Sequence, residues 1–419
     1  MNDRSEYAIR RQAVRIHEET GSFKQALEEV NRSRGWLSKW LQRYRGQGLK
    51  GLRDRDRTPK RVWKKTSDRM VQRVISIRDE LVAHKTRRSA FSGIGAEAIH
   101  WELSQRGVRN IPSIPTIERI LVRAGKTRRG KSKRTSNGPP YPYLRAERMG
   151  DLHQTDLVGP RHLRGPGGVT RFFSFHTVDV AGHTVVASQF VDKRTISLCR
   201  HLVASWGFMG VPKASQFDNE MSASGGGRYR YSLSQVIRLH LLLGIHIFFI
   251  PKGEPGRNAA VESFNGLWQD RVPHRHPCPD LRSLRRCNER FLSYYHFQKP
   301  NRNLTQAEHG TRFPGILRSR LRDSLRHLPE GFSPDSYRDA SGHLELPIAK
   351  GEVSFVRKVD RSGRIDVNGA GYFVSRKLEG QYVVATISTV HKRLSVKQEG
   401  RLIKTFPFPF KGEVIGPLS

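Results

Sequence analysis

The stretch Gly-Arg-Asn-Ala-Ala-Val-Glu-Ser-Phe-Asn, residues 256–265, has the pattern of a helix that carries one acidic residue, Glu262. Two other acids are placed to meet it. Asp156 closes the strand-like stretch Asp-Leu-His-Gln-Thr-Asp, and Asp218 follows the strand-like stretch Ala-Ser-Gln-Phe. Three carboxylates at one place suit Mg²⁺, which prefers oxygen ligands. A pair of such ions is the usual device for in-line attack on a phosphodiester. The sequence therefore predicts a metal site made of Asp156, Asp218 and Glu262.

The charge of the chain indicates a polyanionic partner. Its 419 residues include 75 Lys and Arg against 38 Asp and Glu, which gives a net charge of +37. Because neutralising phosphates releases condensed counterions, DNA or RNA explains this excess better than a small acidic substrate does. A highly soluble surface or a ribosome-associated protein is the alternative explanation.

Cysteine usage and hydropathy favour a reducing compartment. Cys199, Cys278 and Cys287 form neither a CxxC pair nor a disulfide framework. The N-terminus lacks the apolar core of a signal peptide, and no run approaches the ~18 uninterrupted apolar residues of a membrane span. We therefore expect a cytoplasmic protein that makes no membrane contact.

Residues 1–62 are predicted to form a helix-turn-helix domain with a basic arm. Apolar residues recur at helical spacing in three short segments separated by turn residues. In the third segment Trp40 and its apolar neighbours make a core stripe, while Arg34, Lys39 and Arg43 lie on the opposite face. A basic outer face on the second helix of such a motif is typical of DNA recognition. An ordinary helical bundle is the alternative, and the basic segment that follows favours DNA binding.

A second helix-turn-helix domain is predicted at residues 63–125. Pro115 suits the first turn of its last helix, and Thr116 and Arg119 lie near the outer face of that helix, where we expect them to contact DNA. Residues 126–148 are rich in Gly, Pro, Lys and Arg, and they are interpreted as a basic linker.

Residues 149–300 alternate strand and helix patterns in the order βββαβαβα, which is the order of a ribonuclease-H-like domain. A connector at residues 301–345 leads to short strands separated by turns at residues 346–419, which predict a small β-barrel. The predicted fold class is therefore multidomain α+β. It consists of N-terminal tandem helix-turn-helix units, a central ribonuclease-H-like α/β core and a C-terminal small β-barrel.

These motifs resemble the DDE transposases of bacterial insertion sequences, which share a catalytic core with retroviral integrases. The resemblance rests on Gln-Thr-Asp156-Leu, on Gln-Phe-Asp218-Asn and on the long motif Pro-Lys-Gly-Glu-Pro-Gly-Arg-Asn-Ala-Ala-Val-Glu262-Ser-Phe-Asn. The third motif is specific, whereas the first two would be weak alone. The resemblance covers most of the chain.

The resemblance implies that Asp156, Asp218 and Glu262 bind two Mg²⁺ ions, for which Mn²⁺ can substitute. It implies double-stranded DNA as partner, both as element ends and as target, and at least a dimer on DNA. In the third motif Lys252, Arg257 and Asn258 are candidates for contact with DNA phosphate or target DNA, with structural roles as the equal alternative. Because the chain has no P-loop, any ATPase helper would be a separate protein. A bacterial, nucleoid-associated location follows.

Two other functions remain open from the sequence. A non-catalytic, sequence-specific repressor derived from such an element would retain the DNA-binding helices, but it predicts a damaged triad, and the triad is intact. A ribonuclease-H-like nuclease acting on RNA–DNA hybrids or junctions is the other, and the two helix-turn-helix units disfavour it because they imply recognition of duplex DNA.

Overall fold

The computed structural model describes residues 3–56, 66–86, 88–127, 139–218, 231–251 and 253–418. The chain divides into two compact units, Met1–Met70 and Val71–Ser419. The sequence placed the first boundary at 62/63, close to this division. Its further boundaries, such as 125/126 and 345/346, stay predictions.

The helices of the chain are α1 Asp3–Thr20, α2 Phe23–Val30, α3 Arg34–Gln47, α4 Asp68–Ala83, α5 Ala96–Gln105, α6 Ile114–Arg123, α7 Thr195–Met209, α8 Gln235–Leu242, α9 Ala259–Arg271, α10 Leu281–Phe297, α11 Gln306–His309 and α12 Pro314–Leu321. The strands are β1 Leu152–Gly165, β2 Gly168–Asp179, β3 Val185–Phe190, β4 Ala214–Phe217, β5 His246–Phe249, β6 Ile348–Ala349, β7 Glu352–Lys358, β8 Arg364–Val367, β9 Ala370–Phe373, β10 Tyr382–Ser388, β11 Arg393–Gln398, β12 Arg401–Pro407 and β13 Val414–Ile415.

The first unit is a three-helix domain, as the sequence predicted. Ser22 and Ser33 cap α2 and α3 by accepting bonds from the backbone N–H groups of Gln25 and Trp36. The core of the unit combines apolar residues of all three helices with Leu52, which lies in a 3-10 turn after α3. The predicted basic arm, residues 51–61, begins within this turn, and its residues 57–61 lie outside the described part of the chain.

The second helical region, α4 to α6, has the predicted helices but does not stand apart from the core. Phe91, in the loop after α4, is buried in one cluster with Phe264 and Trp268 of α9 and Phe291 of α10. Its ring lies 5.7 Å from that of Phe291. Arg271, at the end of α9, donates to the carbonyl oxygen of Phe91 at 2.8 Å. The loop of this region therefore packs as part of the core formed with α9 and α10.

The central sheet has the strand order β12-β11-β10-β7-β5-β4-β1-β2-β3. Strands β1 to β3 are antiparallel neighbours, and β4 and β5 continue the sheet in parallel with β1. Helices α7 and α8 pack in one buried cluster, whereas α9 and α10 pack in another. This order, 3-2-1-4-5 with β2 reversed, confirms the predicted ribonuclease-H-like core.

The strand-rich C-terminus is confirmed, but its arrangement differs from a separate small barrel. Strand β7 pairs in parallel with β5, so the antiparallel strands β7, β10, β11 and β12 extend the core sheet. Val353 and Phe355 of β7 share the buried cluster of Phe249 and Phe217. Within the described residues β12 pairs only with β11, so these strands do not close into a ring. The prediction of a separate small barrel is corrected accordingly, because β7 pairs with β5 of the core and its Val353 and Phe355 are buried in the core cluster.

No helix within the described ranges has both the length and the apolar character needed to cross a membrane.

Candidate metal and DNA site

Asp156 and Asp218 are brought side by side by the register of two parallel strands. Thr155 of β1 lies opposite Phe217 of β4, so the residues that follow, Asp156 and Asp218, occupy neighbouring positions. Adjacent strands lie roughly 4.8 Å apart. Both acids are half-buried. The sheet thus places two of the three predicted carboxylates at one edge of the core.

The helix that carries Glu262 is held against this edge by two glutamines. The side-chain oxygen of Gln154 accepts from the backbone N–H groups of Ala260 at 3.0 Å and Val261 at 3.4 Å, and so caps the start of α9. The side chain of Gln216 donates to the carbonyl oxygen of Arg257 at 3.0 Å. Each glutamine lies two residues before an acid, and residues two apart on a strand share a face. The capping glutamines and the two aspartates therefore face α9 together.

The pKa of Glu262 depends on the charges of both aspartates. Partial burial raises the pKa of Glu262, and the negative charges of Asp156 and Asp218 raise it further. In the part of the chain that the structure describes, no three His, Cys, Asp or Glu side chains are close enough as placed to hold a metal ion. The three acids are electrostatic neighbours that concentrate negative charge, and oxygen donors of this kind fit a hard divalent cation.

Asn265, one helical turn after Glu262, contacts the first aspartate. Its Nδ2 atom donates to Asp156 Oδ2 at 2.6 Å, and its Oδ1 atom lies 2.6 Å from Nδ1 of His176. His176 is fully buried on β2, directly across the ladder from Asp156. Burial lowers the pKa of His176 to about 4, against a smaller raising effect of the bond to Asn265. Its imidazole is therefore neutral near neutral pH.

The turn before α9 changes the interpretation of two predicted DNA contacts. Arg257 donates to Glu254, Tyr143 and Tyr382, and its guanidinium lies 4.1 Å from the ring centre of Tyr141. Burial opposes its charge, but the bond to Glu254 and those to the tyrosines raise the pKa of Arg257 above its ordinary value. Arg257 is therefore held by protein groups.

Asn258 is 1% exposed, which removes it from the DNA-facing surface. Its Nδ2 atom donates to the carbonyl oxygen of Thr155, and its Oδ1 atom accepts from Gln216. The prediction that Asn258 contacts DNA is corrected, because both ends of its amide tie α9 to the strands. It also makes no side-chain cap of α9. Lys252 lies outside the described residues.

The helical regions retain several exposed basic groups. Arg34, Lys39 and Arg119 are exposed. Arg43 is half-buried: its guanidinium lies 4.4 Å from the ring centre of Trp40 and donates to the carbonyl oxygen of Arg53 at 2.7 Å. Thr116 is half-buried at the start of α6, with its hydroxyl 3.0 Å from that of Ser113. The outer face of α3 is thus confirmed as polar, but Arg43 belongs partly to the packing of its domain.

Sequence reasoning missed Gln154, Gln216, Asn265 and the role of His176. One signal was present for the glutamines, because both strand motifs carry Gln two residues before the acid. Asn265 stands three residues after Glu262, a spacing that places the two on neighbouring positions of one helix. No feature of the sequence alone pairs His176 with Asn265, since that contact depends on how α9 lies on β2.

Comparisons with protein families identify the helical regions. A helix-turn-helix domain model matches residues 9–60, and a homeodomain-like domain model matches residues 36–121. The chain therefore carries helix-turn-helix domains of DNA-binding type ahead of a ribonuclease-H-like core.

Comparisons with solved structures find retroviral proteins at low similarity. The chain in the simian T-cell lymphotropic virus intasome in complex with the PP2A regulatory subunit B56 gamma is 13% identical, with a TM-score of 0.33 over 75% of this chain and 93% of that one. The HTLV-2 integrase catalytic core domain in complex with magnesium is 14% identical, with a TM-score of 0.28 over 38% and 95%. The catalytic core domain of BIV integrase is 13% identical, with a TM-score of 0.30 over 42% and 97%.

Proposed function

We propose that this protein is a transposase that binds the terminal inverted repeats of a mobile element, cleaves at the ends and joins the freed 3′-hydroxyls to target DNA. The observation that supports the proposal is that Asp156 and Asp218 follow the paired residues Thr155 of β1 and Phe217 of β4, while Glu262 lies in the first turn of the helix that these strands hold and has its pKa raised by both aspartates. Neighbouring carboxylates, one of which has its pKa raised by the charges of the other two, are a typical site for divalent cations.

The chain's own groups have separable roles in this proposal. Asp156, Asp218 and Glu262 would hold two Mg²⁺ ions, or Mn²⁺, drawing together on binding. Bound there, the cations would activate the attacking oxygen and stabilise the leaving oxygen of an in-line displacement. Gln154 and Gln216 keep α9 and its glutamate against the strand ends. One site suffices for cleavage and joining, because both reactions displace an oxygen at phosphorus.

Recognition of DNA is assigned to the helical regions. Arg34, Lys39 and Arg119 are exposed and basic, and the net charge of +37 suits a long phosphate track. Cutting and joining two element ends in one event requires at least two copies of the chain on DNA. An ATPase helper, if one is used, is a separate protein.

The triad variants Asp156→Asn, Asp218→Asn and Glu262→Gln test the proposal. Each keeps the shape of the side chain and removes a charge that the cations need. We expect each to abolish end cleavage and the joining of pre-cut ends in Mg²⁺, measured with labelled DNA carrying the terminal repeats, while binding of the same DNA stays nearly unchanged.

Exposed acids on the same unit supply the control. Asp270→Asn removes a charge from the exposed end of α9, away from the strand ends, and should leave both reactions intact. Full joining activity of the Glu262→Gln protein in Mg²⁺ would remove Glu262 from the site. A wild-type protein that binds the repeats tightly but neither cuts nor joins would favour the repressor alternative.

A further inference from the structure

Behind Asp156 a line of polar side chains runs into the core of the protein. Asn265, His176, Ser174 and Gln189 are at most 5% exposed. Their consecutive contacts measure 2.6 Å from Asp156 to Asn265, 2.6 Å from Asn265 to His176, 2.8 Å from His176 to Ser174 and 3.0 Å from Ser174 to Gln189. Buried polar groups are costly unless each is bonded, so this line needs an explanation beyond packing.

The ionised carboxylate at one end sets the direction of every bond. A carboxylate only accepts, so the amide nitrogen of Asn265 must face Asp156 and its oxygen must face His176. Nδ1 of His176 must then carry the proton and donate to that oxygen. In the neutral ring Nε2 is consequently an acceptor, and it takes the hydroxyl hydrogen of Ser174. The oxygen of Ser174 is left to accept from Nε2 of Gln189.

The surroundings hold the central ring of this line in one orientation. The imidazole of His176 lies 5.1 Å from the ring of Phe264 and 4.8 Å from the ring of Trp268, both edge-on. Both aromatic residues belong to α9, the helix that carries Glu262 and Asn265. The backbone of Gln189 is fixed in turn, because Arg285 of α10 donates to its carbonyl oxygen at 2.7 Å. Strands β2 and β3 and helices α9 and α10 thus converge on one set of bonds.

We propose that His176 is a positioning residue of the metal site, which fixes the amide of Asn265 and through it the carboxylate of Asp156. The inference rests on the proposed function, since it concerns the same Asp156. A ring that donates from Nδ1 leaves the Asn265 amide one orientation, with nitrogen toward the carboxylate. Without that donor the amide of Asn265 is no longer held in this orientation. When its oxygen turns toward Asp156, the amide oxygen and the carboxylate are both acceptors and repel each other, so the carboxylate loses its fixed position. Groups behind a ligand that set its orientation commonly change metal affinity by about 10–100-fold when they are altered.

Two replacements of His176 distinguish a role in orienting the Asn265 amide from a role in packing alone. In His176→Asn the amide nitrogen stands near the position of Nδ1 and can still donate to Asn265. In His176→Gln the amide group stands near the position of Nε2, so the bond to Ser174 can form and the donor to Asn265 is lost. Ser174→Ala removes the next bond along the line and leaves the Nδ1 donor in place.

The experiment measures binding of Mn²⁺ to the full-length chain without DNA, by electron paramagnetic resonance, and the Mn²⁺ concentration for half-maximal joining of pre-cut ends. We expect His176→Gln to weaken Mn²⁺ binding about tenfold or more and to raise the half-maximal concentration in parallel, while the rate at saturating Mn²⁺ changes less. His176→Asn should bind Mn²⁺ within about threefold of wild type and Ser174→Ala should lie between the two. Thermal unfolding of each variant confirms that comparisons are made on folded protein.

The outcomes separate this inference from the function on which it rests. Equal Mn²⁺ affinity in folded His176→Gln and wild-type protein overturns the positioning role. Equal losses in His176→Asn and His176→Gln also overturn it, because they would reflect lost packing. Asp156→Asn, measured alongside, tests the metal assignment: if it keeps wild-type Mn²⁺ affinity and joining, the proposed function itself fails. If Asp156→Asn loses both while His176→Gln does not, only the positioning role fails.

Discussion

Basic residues that look alike in the sequence have different surroundings in the fold. Lys39 and Arg43 lie on the same helix four residues apart, yet Lys39 is exposed while Arg43 stacks on Trp40 and donates to the backbone of Arg53. The guanidinium of Arg43 joins the end of α3 to the segment after it. A long basic side chain can therefore stabilise a domain through packing and a backbone bond, independently of DNA.

We predict that Arg43→Ala and Lys39→Ala act on different properties. Arg43→Ala should lower the free energy of unfolding of the first unit by about 1 kcal/mol, because the bond to the carbonyl oxygen of Arg53 and the stacking contact with Trp40 are lost. Lys39→Ala should leave stability within about 0.5 kcal/mol and weaken binding to terminal DNA, with a smaller salt dependence. Chemical denaturation and DNA titration at two salt concentrations measure both properties. Equal destabilisation by the two changes would mean that the outer face of α3 is buried.

The turn before α9 yields a second prediction about single residues. Arg257→Lys keeps a positive charge but cannot bond Glu254, Tyr143 and Tyr382 together in the arrangement of the guanidinium. Because this turn leads directly into the helix of Glu262, we expect joining to slow tenfold or more. Binding of terminal DNA should be retained.

Tyr382→Phe is the companion change, since it removes a hydroxyl that donates to Glu254 at 2.7 Å without altering charge. It should slow joining in the same direction as Arg257→Lys. The exposed Arg376→Lys is the matched control and should be neutral. Normal joining by Arg257→Lys together with weakened DNA binding by Arg257→Ala would return Arg257 to the role of a phosphate contact.

At the scale of elements, the loop after α4 connects the second helical region to α9 and α10. Phe91 is 4% exposed and its ring lies 4.8 Å from His276 and 5.7 Å from Phe291. Arg271 and Arg275 donate to carbonyl oxygens of this loop. A fragment that ends at residue 125 would expose this apolar surface.

We predict that Phe91→Ala lowers the stability of the larger unit by about 3–5 kcal/mol, the usual cost of removing a buried phenyl ring. The smaller unit should be unaffected, because Phe91 belongs to the other one. Val122→Ala, at an exposed apolar position of α6, is the matched control and should change stability by less than about 0.5 kcal/mol. Calorimetry of the full chain checks the result, and an unchanged transition for Phe91→Ala would show that the loop does not pack on α9 and α10.

The elements of the core were predictable because each has its own local pattern. Strands β1 to β5 and helices α7 to α9 follow the alternation and helical spacing of their residues, although β1 continues beyond Asp156 to Gly165. The pairing of β7 with β5 was not predictable, because it joins Val353 to Ile247 over a long separation and is set by burial of Phe355 against Phe249. The contact of His176 with Asn265 was hidden for the same reason: it depends on the position of α9 over the sheet.

For the molecule as a whole, the buried histidines link stability to pH. Burial lowers the pKa of His176, His240 and His296 to about 4 and that of His201 to about 3. All four lie in the larger unit and are neutral in the folded state near neutral pH. In the unfolded chain a histidine takes up a proton below about pH 6.5. The unfolded state therefore binds more protons than the folded state between about pH 6.5 and pH 4.

We predict that the free energy of unfolding of the larger unit is greatest above about pH 6.5 and falls steadily toward about pH 4.5. Ordinary carboxyl groups protonate mainly below this window, so the slope within it reports the histidines. Each pKa unit corresponds to about 1.4 kcal/mol, so the combined loss should reach several kcal/mol. Denaturant titrations followed by tryptophan fluorescence at several pH values measure the slope.

His240→Gln should make the slope of stability against pH shallower, because it removes one group that is neutral only when folded. His162→Gln, at an exposed position of β1, should leave the slope unchanged. A stability that is flat across the window would mean that these histidines are hydrated or already charged in the folded protein.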